Sequence, residues 1–392
     1  MRLGVYSDLK YRRDDGGLST DRAFIRFVTS LPPRVEEVVI FGRLDPEEGR
    51  YAYALPTEDV RFVGLPFYPK VTALRGLVSA LRRSAAIYRA ELDRLDAVWI
   101  FGPHPLSDRF ARIARRHGTP LVLGVRQDYP SYIANRLPSR LWGWAIPVAH
   151  GLERSFRRLG QQAPTVALGA EIAANYSGGA PVLTTGFSLV RRDELVTDEE
   201  ALAKPWDGPL RVLSVGRLDP EKNPLLLVEI AELLRKRDPR WSLAIAGDGP
   251  LHEAIERRIA ERGLSDAVEL LGYVPNGPEL WAEYRRSQAF LHVSLTEGLP
   301  QVLFEAQGAG LPVVATDVGG VSAAVGGGES ALLVPPEDAA AAAEALMRIA
   351  ADEPERRRLI AAGLANAREQ TIEAQLDRIA EFLRAAVAQA TK

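Results

Sequence analysis

Short runs rich in Val, Ile and Leu alternate with longer helical patterns along the whole chain, and the alternation starts over at Leu210. Strands that are apolar on successive residues must be covered on both faces, so the pattern predicts parallel sheets sandwiched between helices. The first series is RLGVYS, VEEVVIF, RFVGLPF, AVWIFG, PLVLGV, TVALG and PVLTT, with amphipathic segments such as Leu74 to Leu95 between them. The second begins at LRVLSVG (210–216) and continues through WSLAIAG, AVELLGY, AFLHVS, PVVATDV and ALLVP. At 392 residues the chain is also long for a single core. The expectation is two doubly wound α/β domains: residues 1–185, a linker at 186–209 whose KPWDGP carries turn residues, and residues 210–370. A C-terminal helix at 371–392 is a candidate to pack back on the first domain.

Composition narrows the chemistry. There are no cysteines, which excludes disulfides, thiolate nucleophiles and cysteine metal sites. The N-terminus MRLGVYSDLKYRRDD turns polar within a few residues, unlike a signal peptide, and the apolar stretch Leu141 to Ala149 is too short to span a bilayer. A cytoplasmic location, extending to the inner face of the membrane, is therefore expected. The net charge of -2 hides an asymmetry. Residues 1–185 carry 26 Lys+Arg against 18 Asp+Glu, a net +8, while residues 186–392 carry 23 against 33, a net -10. This suits an anionic partner for the first half, a charged acceptor or a membrane surface, as well as mutual attraction of two domains. Arg136 to Arg158 combines Trp142 and Trp144 with Arg140, Arg154, Arg157 and Arg158, which fits either an amphipathic surface helix at an anionic bilayer or a core helix with a solvated face. No nucleic-acid partner is expected.

In doubly wound sheets ligands sit beyond the carboxyl ends of strands, so the chemistry belongs in the loops that follow them. Gly247-Asp248-Gly249-Pro250-Leu251-His252 begins like a dinucleotide fingerprint but lacks its last glycine, and Gly-Lys-Ser/Thr is absent. Nicotinamide dehydrogenases and P-loop NTPases are thereby disfavoured, and His252-Glu253 lacks the second His of a zinc protease. After LRVLSVG, Arg217 and Lys222 flank a turn from which both could converge on a diphosphate, or both could simply be solvated. After AFLHVS comes Glu297-Gly298-Leu299-Pro300, where Pro300 suits a first helical turn and offers the Gly298 and Leu299 amides to an anion. Glu297 and Glu305 could read vicinal hydroxyls; equally, Glu297 could be a cap acid and Glu305 a surface or interdomain salt bridge. No Asp-x-Asp pair or His/Asp cluster with ligand spacing accompanies these elements, so neither a metal nor another cofactor is expected.

Taken together, VGRLDPEKNPLLLVEI, AGDGPL, LLGYVP, EGLPQVLFE and AQGAGLPVVATDVGG resemble glycosyltransferase family 4 in order and approximate spacing, from about Leu210 to Pro336. The resemblance implies the GT-B fold, two Rossmann-like domains facing across a cleft, with the acceptor on the first and a nucleotide-sugar donor held mainly by the second. It implies Arg217 and Lys222 on the donor diphosphate, Glu297 on the transferred sugar, Glu305 on the ribose, and Tyr273 and Val274 beside the base. In the first half, Gly16 and Gly17 look like the family's glycine loop, and His104 in FGPHPLS matches its histidine near the reacting centre. Many relatives carry a further histidine where this chain has Arg126-Gln127-Asp128-Tyr129, so Arg126 is an acceptor-side candidate. The family implies retention at the anomeric carbon. UDP is the first expectation for the nucleotide, and the acceptor is a glycan, a lipid-linked sugar or a small molecule. A nucleotide-sugar epimerase and a non-catalytic nucleotide-sugar-binding protein are the alternatives on the same architecture.

Overall fold

The computed structural model describes residues 1–32, 34–68, 74–134, 143–186 and 188–390. The chain divides into two units, residues 1–187 with 375–392, and residues 188–374.

The first unit holds strands β1 (Arg2–Asp14), β2 (Gly17–Thr20), β3 (Glu37–Leu44), β4 (Tyr53–Ala54), β5 (Val60–Leu65), β6 (Ala97–Gly102), β7 (Leu121–Val125), β8 (Thr165–Leu168) and β9 (Val182–Thr185). Seven of them run parallel in the order β5-β3-β1-β6-β7-β8-β9. The short strands β2 and β4 extend antiparallel from the far end of β1. The second unit holds β10 (Leu210–Val215), β11 (Trp241–Ala246), β12 (Val268–Gly272), β13 (Ala289–His292), β14 (Val313–Thr316) and β15 (Leu332–Val334). All are parallel, ordered β12-β11-β10-β13-β14-β15. In both sheets the chain winds outward from one central strand, then returns to its other side and winds the opposite way. The crevices left at the carboxyl ends of β1/β6 and β10/β13 are where such sheets bind ligands.

Period-two geometry explains the continuous apolar runs. On β10, β13 and β14, Val212, Leu291 and Val314 enter one core while their neighbours Leu213, Phe290 and Val313 enter another on the opposite face. All six are fully buried.

The boundaries differ from the expected ones because apolar side chains decide them. Of the expected linker at 186–209, most belongs to the second unit. Val190 joins its core, Ala201 packs with Ile360 and Leu364, and Val196 N–H donates to Gly308 O at 3.0 Å. A reciprocal cap between Thr197 and Glu200 starts the short helix Asp198–Leu202 there. The C-terminal helix Ile372–Ala390 lies in the first unit from Gln375 onward, where Leu376, Ile379 and Leu383 are fully buried. Thr185 Oγ1 and Gln375 Oε1, 2.8 Å apart, and Arg34 with Asp377, at 2.6 Å, tie it down. Among the described residues, no helix is long and apolar enough to cross a membrane.

Candidate active site

At the carboxyl ends of β10 and β13 a cavity of about 200 Å³ is lined by Gly216, Arg217, Lys222, His292, Ser294, Glu297 and Leu299, among others. One of the lining groups is the Glu297 carboxylate. Oε1 accepts from Lys222 Nζ at 2.6 Å and Ser294 Oγ at 2.7 Å, and lies 3.0 Å from His292 Nε2. Burial opposes its ionisation, but His292 and the Lys222 ammonium outweigh it and bring the Glu297 carboxyl down to about 2. Arg217 instead stays on its own loop, paired with Asp219 and with Glu221 Oε1 at 2.6 Å, and is half-exposed. Each of the two cations thus has a carboxylate partner, and the two do not share one.

Neighbouring loops hold this geometry through close backbone contacts. Leu218 N–H donates to Asp248 O, Leu251 N–H to Leu218 O, and Leu295 N–H to Glu221 O. A Cβ on Gly247 would stand 1.8 Å from Gly216 O, so the AGDGPL glycines serve loop packing against the Arg217 turn. Gly320 N–H donates to Glu297 O at 3.0 Å, and a Cβ on Gly320 would stand 1.5 Å from Gly298 O. Pro300 caps the helix Gln301–Gly308 rather than occupying its first turn, so Glu297 is not a cap acid. Gly298 has open space around it, and Leu299 borders the cavity.

Glu305 is separate. It is buried on that helix, with Oε1 accepting from Asn276 Nδ2 at 2.9 Å and Oε2 from Tyr284 O–H at 2.8 Å. This is not a surface salt bridge, because Tyr284, Asn276 and the helix enclose the carboxylate. Val274 packs against the core beside it, while Tyr273 is 61% exposed.

In the first unit the crevice between β1 and β6 holds His104. Its extended backbone caps the helix Pro105–His117, and Nδ1 accepts from Leu106 N–H at 3.3 Å. Nδ1 also lies 3.3 Å from Tyr6 Oη, and Nε2 lies 3.4 Å from Asp8 Oδ2. Arg43 donates to Asp8 Oδ2 at 3.0 Å, and Tyr68 O–H to Asp8 Oδ1 at 3.0 Å. Tyr68 stacks on the imidazole with ring centres 6.3 Å apart. Burial lowers the imidazole pKa, against the pull of Asp8 and together with Arg43. Asp8, Arg43 and Tyr68 are site residues that sequence reasoning missed. Asp8 could have been found from its place two residues past the last β1–β6 pair, Tyr6 with Ile100.

The glycine loop takes a different form from the expected one. Asp15 and Gly16 make the turn of the β1–β2 hairpin, because β1 runs on past the parallel sheet, and Gly17, which opens β2, adopts φ +109. Arg126 follows β7 and lies over the Phe24 ring at 3.8 Å. Of the Arg136 to Arg158 region, Arg136, Arg140 and Trp142 lie outside the described residues. The helix Ala145–Gly160 buries Ala149, Glu153, Phe156 and Leu159, and Trp144 and Val148 are half-exposed.

Two family descriptions match the chain, "Glycosyl transferase 4-like domain" over residues 22–166 and "Glycosyl transferases group 1" over residues 198–365. The chain belongs to the group 1 glycosyltransferases of GT-B fold. The chain is 32% identical over 221 residues to the amylovoran biosynthesis glycosyltransferase AmsK of Erwinia amylovora, spanning 54% of this chain and 46% of that one. It is 28% identical over 249 residues to the GDP-mannose-dependent alpha-(1-6)-phosphatidylinositol monomannoside mannosyltransferase of Mycolicibacterium smegmatis, spanning 59% and 61%. The matches thus cover less than two thirds of these relatives. Among solved structures, Anabaena HepE in complex with UDP superposes with a TM-score of 0.72 over 98% of this chain and 100% of that one, at 16% identity, a likeness of fold.

Proposed function

We propose that this glycosyltransferase moves a sugar from a nucleotide-diphosphate sugar to an acceptor hydroxyl, with retention at the anomeric carbon and without a divalent metal. The observation that carries the reading is the Lys222–Glu297 pair over a cavity at the β10/β13 crevice, with Arg217 on its rim. A diphosphate entering there competes with Glu297 for Lys222 and with Asp219 and Glu221 for Arg217. The Glu297 carboxylate so released accepts a hydroxyl of the donor sugar. The cavity is smaller than the roughly 300–1,000 Å³ usual for a whole small-molecule site, so ribose and base extend beyond it, toward Glu305, Tyr273 and Val274.

In the chemical step the bond between the anomeric carbon and the diphosphate oxygen breaks, and its electron pair stays on that oxygen. The acceptor oxygen bonds to the carbon from the same face and its proton passes to the departing oxygen. Arg217 and Lys222 stabilise the charge that develops, the task a metal performs elsewhere. A covalent route needs a carboxylate free to attack, whereas Glu297 is taken up by the sugar hydroxyl and Asp8 sits inside a hydrogen-bonded cluster.

UDP is the first nucleotide to try, with GDP beside it because one relative is named GDP-mannose-dependent. Thermal shifts with a panel of nucleotides and nucleotide sugars rank the donors, since a ligand selective for the native state raises the melting temperature. Donor turnover is then measured with and without acceptor extract, before and after exhaustive chelation. Turnover that needs acceptor and survives chelation supports the reading. Consumption without acceptor points to an epimerase, absence of turnover to a binding protein, and loss restored by magnesium or manganese overturns metal independence.

A further inference from the structure

Along β13 and just past it, side chains alternate between the two faces of the second sheet. Leu291 and Val293 enter one core and Phe290 the other, so His292 and Ser294 fall on the Phe290 side, polar residues where the sheet otherwise buries apolar ones. Both are buried and both border the cavity. At the end of β14, Thr316 Oγ1 donates to Ser294 O at 2.7 Å and pins the chain there. Ser294 O–H and Lys222 Nζ converge on Glu297 Oε1, and among the described residues no hydrogen bond occupies Oε2. His292 Nε2, 3.0 Å from Oε1, is sealed from solvent and has no hydrogen-bond partner aligned with it. A nitrogen lone pair facing a carboxylate would be repelled, so this nitrogen carries the ring proton. A buried donor left unpaired is costly, and Oε1 is the acceptor within reach.

We propose that His292 and Ser294 are positioning residues, which hold the Glu297 carboxylate by Oε1 and leave Oε2 for the sugar once the donor diphosphate has drawn Lys222 away. This rests on the donor reading above. Three groups surround Oε1; a diphosphate takes the ammonium, and Oε1 settles on the His292 N–H while Ser294 keeps its bond. Without them, a largely enclosed carboxylate that loses its cation would rotate or take up a proton, and either way becomes a poorer acceptor for a hydroxyl. Burial pushes the Glu297 carboxyl up, and His292, ahead of Lys222, is the strongest influence holding it down. Other elements packed here bring little competing charge. Arg217 pairs with Asp219 and Glu221 on its own loop, Glu305 is held by Asn276 and Tyr284, and Asp317, which opens the loop to Gly320, is exposed.

The test compares His292→Leu, which fills the space without a donor, with His292→Gln, whose amide nitrogen reaches about as far as Nε2, and with Ser294→Ala, each with a melting curve. One readout is steady-state kinetics between about pH 8 and 5 with the donor selected by thermal shift. His292→Leu is expected to lower kcat about tenfold, to leave affinity for the matching diphosphate, UDP or GDP, nearly intact, and to move the acid limb of the kcat profile upward. Ser294→Ala should show a smaller loss, and His292→Gln should recover most of the rate. The second readout needs no donor: carboxyl carbon-13 spectra of glutamate-labelled protein between about pH 7 and 4, with the Glu297 signal identified by its loss in Glu297→Gln. The wild-type signal should stay ionised throughout, and that of His292→Leu should titrate within the range. Wild-type carboxyl behaviour in folded His292→Leu, or a His292→Gln rate no better than that of His292→Leu, overturns the proposal. A carboxyl shift without binding or turnover of any nucleotide sugar removes the donor reading and leaves the hold of His292 on Glu297 standing. Turnover in His292→Leu with wild-type kcat and pH profile keeps the donor reading and removes the positioning role.

Discussion

Arg217 and Lys222 reach the donor by different routes. Lys222 is already aimed into the cavity by Glu297, whereas Arg217 must leave Asp219 and Glu221. Replacing either with Ala is expected to lower kcat/KM by about one to two powers of ten, the usual worth of a charge-assisted contact. Arg217→Ala should be the more damaging, since it leaves two carboxylates facing the incoming diphosphate without their cation. The double variant should lose less than the two singles combined, because both side chains act on one phosphate group, and Arg217→Lys should restore activity only in part. Steady-state kinetics with a melting curve for each variant check this; wild-type donor affinity and rate in both folded singles would move the donor site elsewhere. His104 gives a second prediction. An unfolded His takes a proton below about pH 6.5, while the buried imidazole resists it, so stability falls as pH drops below that value. His104→Asn keeps a good helix cap and should flatten the decline in melting temperature between about pH 6.5 and 5. His104→Ala should lower kcat with nucleotide affinity nearly intact, and unchanged kinetics would leave the residue a purely structural role.

At the level of elements, the site depends on loops touching backbone to backbone. Val318-Gly319-Gly320 after β14 packs on Glu297 and Gly298, and a Cβ on Gly319 would stand 2.0 Å from Glu297 O. Gly320→Ala must push the two loops apart, moving Glu297 away from Lys222. The expected cost is about 1–3 kcal/mol of stability, typical of overpacking, with weaker donor binding. Gly298→Ala is the control, because no atom lies within 4 Å of its Cβ position. Equal behaviour of the two variants in thermal shift and donor titration would count against loop contact as what holds the site. The strand series was readable from sequence because a doubly covered strand is apolar on both faces, and each predicted run became a strand. The two short strands β2 and β4 escaped notice. GLST and YA carry no such run, and pairing alone makes them strands.

For the whole molecule, the last helix is part of the first unit although it follows the second in sequence. Ending the chain after residue 374 removes Leu376, Ile379 and Leu383, each fully buried and each contributing about 1.5–3 kcal/mol of burial. The truncated protein should show an early melting transition of the first unit while the second retains its donor-induced shift; coincident transitions at the wild-type temperature would refute this. The sequence offered both a boundary near residue 371 and the first domain as the helix's candidate partner, and the buried contacts decide that partner. An amphipathic helix announces its apolar face, not the surface that covers it.

The sequence by itself determined that this chain folds as two doubly wound α/β units, and the order of its motifs determined its family. Both are written in local periodicity and in short segments whose chemistry survives out of context. Only the tertiary structure decided which residues meet. Asp8, Arg43, Tyr68 and His104 come from four separate segments and converge because the winding reverses beside β1. Tertiary packing likewise drew Glu297 to Lys222 and His292, and enclosed Glu305 with Tyr284 and Asn276. A carboxylate's role follows from the dielectric and the donors around it, and those are supplied by residues far away along the chain.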